Sequence, residues 1–186
     1  MANLGVNIAI IVEDKILLTK REDFEVWCLP GGEVDPNESI AQAAVREAWE
    51  ETGLEVRLNR LVGIYSKPQW MGSGTHNVLF VAEPLGGDLR LCPGETIEVR
   101  YFPLDEIPTD ILPWHQQMIR DARAGIGGSV AQRQEIEWPL SPNVSRQEIY
   151  AQRDRSGLSR QQFFFQTLAP SLVTETVEVP GQKVRE

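Results

Sequence analysis

The stretch Gly31 to Leu54, GGEVDPNESIAQAAVREAWEETGL, constrains this chain more than any other. Gly31 to Asn37 is rich in turn formers. Residues Glu38 to Thr52 are mostly good helix formers, and Gly53 stands where a left-handed C′ glycine ends a helix. The pattern predicts a helix over 38–52, with Asn37 as N-cap and Glu38 and Ser39 in its first turn. On that helix Glu47, Glu50 and Glu51 are spaced i, i+3 and i+4, so they share one face. Carboxylates that close repel and raise one another's proton affinity unless a cation neutralises them. A hard divalent ion suits such oxygens: Mg²⁺, with Mn²⁺ as the alternative. Arg46 can pair with Glu50 or with Glu38 and so hold the carboxylates. The bland alternative is a solvated acidic face. Against it, Ile40, Ala43, Ala44, Val45, Ala48 and Trp49 make the helix apolar on more than one side, and acids on a buried helix need a partner.

These residues resemble the Nudix box, the signature of hydrolases acting on nucleoside diphosphates linked to another group. The pattern is Gly, five residues, Glu, seven residues, then Arg-Glu-apolar-any-Glu-Glu-any-Gly-apolar. Gly32, Glu38, Arg46, Glu47, Ala48, Glu50, Glu51, Gly53 and Leu54 match it with every spacing kept. Ala48 is smaller than the aliphatic residue usual there. Trp27 to Gly32 resembles the family's lead-in, and the resemblance extends loosely over residues 4–125.

Composition sets the partners. With 18 basic and 27 acidic residues, the net charge is −9. That argues against a general nucleic-acid binder, which needs basic surface for phosphates, and against anionic membranes. The expected partner is a nucleotide small molecule. Cys28 and Cys92 give no disulfide framework and read as two buried, reduced thiols. No secretory signal and no run long enough to span a bilayer is visible, so a cytoplasmic location is expected.

Along the chain, Val6–Val12 and Ile16–Thr19 read as a hairpin through Glu13-Asp14-Lys15. Trp27 reads as core. Glu55–Tyr65, Asn77–Ala82, Asp88–Leu91 and Glu98–Phe102 read as strands, and Leu104–Ile107 as one helical turn. Asp110 is the expected N-cap of a helix over 111–124 stopped by Gly125; His115 there reads as a core histidine. Strands mixed with two helices suggest an α/β fold, an α/β/α sandwich with a mixed β-sheet, which the resemblance implies as well. The expected division is a Nudix domain over 1–127 and a C-terminal extension over 128–186. The extension holds seven basic and seven acidic residues. Ser145–Arg155 and Ser159–Leu168 read as serine-capped helices, and the chain from Thr174 as extended or disordered. Phe163-Phe164-Phe165 must dock on the main domain or on a second copy in a homodimer.

The resemblance implies metal-assisted hydrolysis of a diphosphate bond. Glu47, Glu50 and Glu51 would be catalytic and metal-binding, with the Gly31 carbonyl a further ligand by analogy. Glu38 and Arg46 would orient them. Lys20 and Arg21 lie where the family often faces a phosphate, although a solvated strand end is the other reading; Gly32 and Arg46 are further substrate-binding candidates. The general base is a box glutamate or a loop carboxylate, Glu95 or Glu98, with Glu95 favoured because Pro93-Gly94 can let it swing. Phe24, Tyr65 and Trp70 are stacking candidates or core. Substrates that fit include a nucleotide sugar such as ADP-ribose and a nucleoside triphosphate. The alternative function is a non-catalytic nucleotide sensor acting in regulation.

Overall fold

A computed structural model describes residues 3–128, 130–136, 138–141, 143–169, 173–179 and 182–183. Its centre is strand β1 (Asn3–Val12), buried from Asn7 to Ile10 and at Val6. Such a continuous apolar run suits a strand covered on both faces. Turning at Glu13, the chain returns as β2 (Lys15–Arg21), antiparallel to β1. The rest of the sheet comes from β3 (Trp27–Cys28), β4 (Leu54–Lys67), β5 (Thr75–Gly87), β6 (Thr96–Pro103), β8 (Val130–Ile136) and β9 (Val173–Val179). Its order is β3-β2-β1-β5-β4-β8-β9, with β6 also on β2. β1 with β5 and β4 with β8 are parallel, whereas β4 with β5 and β8 with β9 are antiparallel, so the sheet is mixed as expected. β7 (Ile126–Gly127) and β10 (Gln182–Lys183) form a separate short ladder.

Two helices cover the two faces. Alternation along β1 sends Val6, Ile8 and Ile10 toward α1 (Ile40–Thr52), where they pack with Ala43, Ala44 and Ala48. Ala9 points the other way, toward Met118, Ile119 and Ala122 of α2 (Pro113–Arg123). Trp27 is core, as read from the sequence.

Several boundaries move. The N-cap of α1 is Ser39 rather than Asn37: Ser39 accepts from Gln42 N–H, and the Gln42 side chain caps Ser39 N–H in return. Asn37 instead takes a left-handed turn, φ 70°, and Glu38 precedes the helix, its Oε1 accepting from Asp35 N–H at 2.7 Å. Gly53 ends α1 as expected, φ 79°, its N–H donating to Trp49 O. Asp110 does not cap α2. Its carbonyl accepts from Trp27 N–H at 2.9 Å, so 110–112 run beside β3, and the helix starts at Pro113, a residue suited to the first helical position. β5 runs on through Pro84 to Gly87, because β4 is long enough to pair with it and a bulge at Glu55/Val56 faces the proline. Asp88–Leu91 is not a strand, and Leu104–Ile107 is a turn rather than a helix. Cys28 is buried, but Cys92 is only half-buried.

The extension forms α3 (Arg146–Arg155) and α4 (Arg160–Phe163), capped by Ser145 and Ser159 as the sequence suggests; α4 continues as a π-helical turn, Phe164–Leu168. Phe163 and Phe164 are buried against Val26, Cys28, Leu112 and Trp114, while Phe165 stays on the surface. Backbone from Val173 to Val179 is extended; positions 180–181 and 184–186 of the expected loose end lie outside the described residues. Among the described residues no helix is long and apolar enough to cross a membrane.

Candidate active site

The C-terminal half of α1 turns its acids toward the loop Gly31-Gly32. Glu47 lies flat on that loop: a Cβ at Gly32 would fall 2.4 Å from Glu47 Oε1, so only glycine admits the carboxylate there. Gly31 N–H donates to Glu51 Oε2 at 3.1 Å. Arg46 ties the remaining acids together. Its Nη2 and Nε donate to Glu38 Oε1 (2.6 Å) and Oε2 (3.1 Å), and its Nη1 to Glu47 Oε1 (2.8 Å) and Glu50 Oε2 (3.0 Å). A forked guanidinium on a carboxylate fixes orientation as well as charge, and it holds the Glu38 carboxyl below its usual range.

A cavity of about 590 Å³ lies between this loop, α1 and the extension. Glu47, Glu51, Glu95, Arg21, Gly31 and Gly32 line it. Burial pushes Glu51 up to about 8; the charges of Glu47 and Glu95 add to this, and Gly31 N–H and Arg21 oppose it. Glu47 is raised too, chiefly by burial, against the pull of Arg46. Crowded carboxyls of raised proton affinity, one buried and one half-buried, mark a functional site rather than a solvated face.

The other sequence candidates divide. Arg21 faces the cavity, forked on Asp23 at 2.8 and 2.6 Å. Its neighbour Lys20 is not in the cavity wall; its ammonium lies 5.7 Å from the Trp27 ring. Glu98 also lies outside that wall, 3.6 Å from Arg100. Glu50 is turned to Arg46 and half exposed. Phe24 and Trp70 line the cavity, whereas Tyr65 is wholly buried and donates to Asp121 Oδ2 at 2.7 Å. His115 is a core histidine as expected. Its Nδ1 accepts from Leu29 N–H at 2.9 Å, and burial holds its pKa well below the usual value, with Lys67 and Arg21 adding to the effect.

The donors present are hard oxygens, which fit Mg²⁺ or Mn²⁺. Among the described residues, no three acidic, histidine or cysteine side chains already stand as a metal-holding group. Arg46 and the Gly31 N–H each engage one oxygen of these carboxylates: Oε1 of Glu47, Oε2 of Glu50 and Oε2 of Glu51. Asn7 Oδ1, in the cavity wall, is a buried acceptor with no donor among the described residues.

Sequence reasoning missed Asn7, Lys67, Trp114, and Arg146 and Tyr150 of the extension, all in the cavity wall. Lys67 had a signal: the alternation that carries Tyr65 inward on β4 carries Lys67 inward as well. Lys67 is 3% exposed. Burial alone lowers its pKa from 10.5 to about 7. Below about pH 7 both folded and unfolded chains hold its proton. Between about 7 and 10.5 only the unfolded chain does, so stability rises with pH there, by at most about 1.4 kcal/mol per pH unit. Urea unfolding across that window should show the rise, and Lys67→Met should flatten it.

The chain belongs to the Nudix family: the NUDIX domain model matches residues 1–122. In class it is therefore a diphosphate-hydrolysing Nudix enzyme. It is 36% identical over 111 residues to a Bacillus subtilis protein provisionally named 8-oxo-dGTP diphosphatase, covering 60% of this chain and 72% of that one. It is 34% identical over 113 residues to an ADP-ribose pyrophosphatase of Methanocaldococcus jannaschii, covering 59% and 66%. Among solved structures, an ADP-ribose pyrophosphatase of Streptococcus suis is similar, with a TM-score of 0.56 at 28% identity over 72% of this chain and 98% of that one.

Proposed function

We propose that the chain is a Mg²⁺-dependent pyrophosphohydrolase that cleaves the diphosphate of a nucleoside diphosphate linked to another group, a nucleotide sugar or a further phosphate. The observation that carries this reading is the pair Glu47, buried, and Glu51, half-buried, both with raised proton affinity in the cavity that also holds Arg21. Glu47, Glu50, Glu51 and the Gly31 carbonyl would hold the ion. When bound, Mg²⁺ would neutralise the diphosphate and activate the attacking water. Arg46 keeps Glu47 and Glu50 oriented through its hold on Glu38. Arg21, steadied by Asp23, gives the substrate phosphates a fixed cation. The names of the two relatives support either a nucleoside triphosphate or ADP-ribose as substrate. A nucleotide panel with Mg²⁺ and with Mn²⁺, assayed for product release, tests the reading; no turnover of any member sinks it.

Glu95 is the proposed general base. It shares the cavity with Glu47 and Glu51, and it follows the turn at Gly94, φ 89°. Glu98 sits in β6 beside Arg100. Glu95→Gln should lower kcat by about a hundredfold or more and remove the acidic limb of the kcat–pH profile. Glu98→Gln should leave both unchanged. Equal behaviour of the two variants returns the base to the box, where Glu47 is the alternative.

A further inference from the structure

Lys67 ends β4 with its ammonium in the cavity wall, and its surroundings are unusual for a lysine. It makes one hydrogen bond, to Asn77 Oδ1 at 3.1 Å, which leaves two N–H groups unused. No carboxylate lies within ion-pair distance among the described residues. Burial pulls its pKa down. The Trp114 ring, 5.7 Å away, gives some cation–π attraction. Trp114 meets Trp70 at a tilt with ring centroids 4.7 Å apart, and Trp70 meets Trp138 of the extension edge to face at 4.8 Å. Lys67 therefore stands in an indole-walled end of the cavity with no carboxylate beside it among the described residues, and carries its charge there only below about pH 7 unless an anion joins it.

An unpaired buried lysine gives up its proton readily, and a bound oxyanion would draw that proton back and pair with it. A structural strut to Asn77 would not need the charge: a neutral donor would do. We infer that Lys67 is an anion-recognition residue, binding an oxyanion of the substrate, phosphate or carboxylate, that lies outside the diphosphate being cleaved. This rests on the cavity being the substrate site proposed above. The substrate class narrows accordingly: the group linked to the diphosphate carries its own negative charge. The apolar indole rings beside Lys67 would strengthen that attraction.

The test is equilibrium binding to the full chain, read by tryptophan fluorescence and calorimetry with Ca²⁺ as the divalent ion. Two ligand pairs share a base and differ in one anion: α,β-methylene ATP against α,β-methylene ADP, and UDP-glucuronate against UDP-glucose. The native chain should bind the more anionic member of one pair at least tenfold more tightly. The first pair reports a phosphate, the second a carboxylate. Lys67→Met should abolish the preference, and Lys67→Arg should keep part of it. Equal affinities within both pairs, including no binding at all, overturn the inference, as does a preference that survives in Lys67→Met. The melting temperature separates a structural role: Lys67→Met should melt no lower than the native chain, and a clear drop counts against the inference. Failure of the hydrolase reading looks different, since it is a lack of turnover with Mg²⁺ while ligand binding and its dependence on Lys67 persist.

Discussion

Glu51→Gln is expected to lower kcat by at least about a hundredfold at saturating Mg²⁺ while the protein stays folded, because the loss is electrostatic stabilisation at the metal. Glutamine keeps the shape and can still accept from Gly31 N–H, the hydrogen bond that positions the native carboxyl. It also resembles the protonated acid, which is the form that burial favours while the ion is absent. Folding should therefore be intact, and metal-free stability gives a second readout. Because the folded pKa is raised to about 8, the folded chain holds more protons than the unfolded one between the ordinary value of 4.5 and about 8. Stability in EDTA should thus fall as pH rises through that window. Glu51→Gln should make this fall markedly shallower, leaving the part due to Glu47. Near-normal kcat in the variant would mean that Glu51 is not a metal ligand.

The second large effect concerns the extension. Phe164→Ala is expected to destabilise the chain by about 3–5 kcal/mol, the range for deleting a buried phenyl ring. Phe164 is 3% exposed, with its ring centroid 5.3 Å from that of Phe24 and 6.3 Å from that of Trp114. It therefore joins the extension to the loop after β2 and to the start of α2. Polar ties reinforce the same joint: Tyr150 OH donates to Asp23 Oδ2 at 3.1 Å, Arg153 to Asp23 O, and Arg160 to Glu22 O. Phe165, on the surface, should tolerate alanine within about 0.5 kcal/mol. Urea unfolding of the two variants measures the contrast. Truncation after Gly128 would uncover Val26, Leu112 and Trp114 together and should cause aggregation or a new oligomeric state. A truncated chain that remained soluble, with its oligomeric state and melting temperature unchanged, would contradict this account.

What the sequence determined by itself is local. The Gly31–Leu54 stretch shows its loop, helix and stop because helix periodicity and left-handed glycine are properties of neighbours in the chain. For the same reason the i, i+3, i+4 acids could be read together, and Arg46 could be matched to Glu38 and Glu50 before any contact was seen. The β1–β2 hairpin was legible from its two apolar runs and its turn. Where two local signals compete, a reciprocal local bond or a tertiary contact decides. Asn37 and Ser39 are both good caps, and Ser39 caps α1 because Gln42 returns the bond. Asp110 would cap a helix, but its backbone is engaged by Trp27. Membership of the cavity was legible for the box residues and for Glu95, and elsewhere only in part. Arg21 rather than Lys20, and Glu95 rather than Glu98, enter it because of how β2 and β6 lie against the rest of the fold. Asn7, Lys67 and Trp114 come from β1, β4 and α2, and Arg146 and Tyr150 from the extension. Only strand register and packing between elements far apart in the chain bring such residues to one wall.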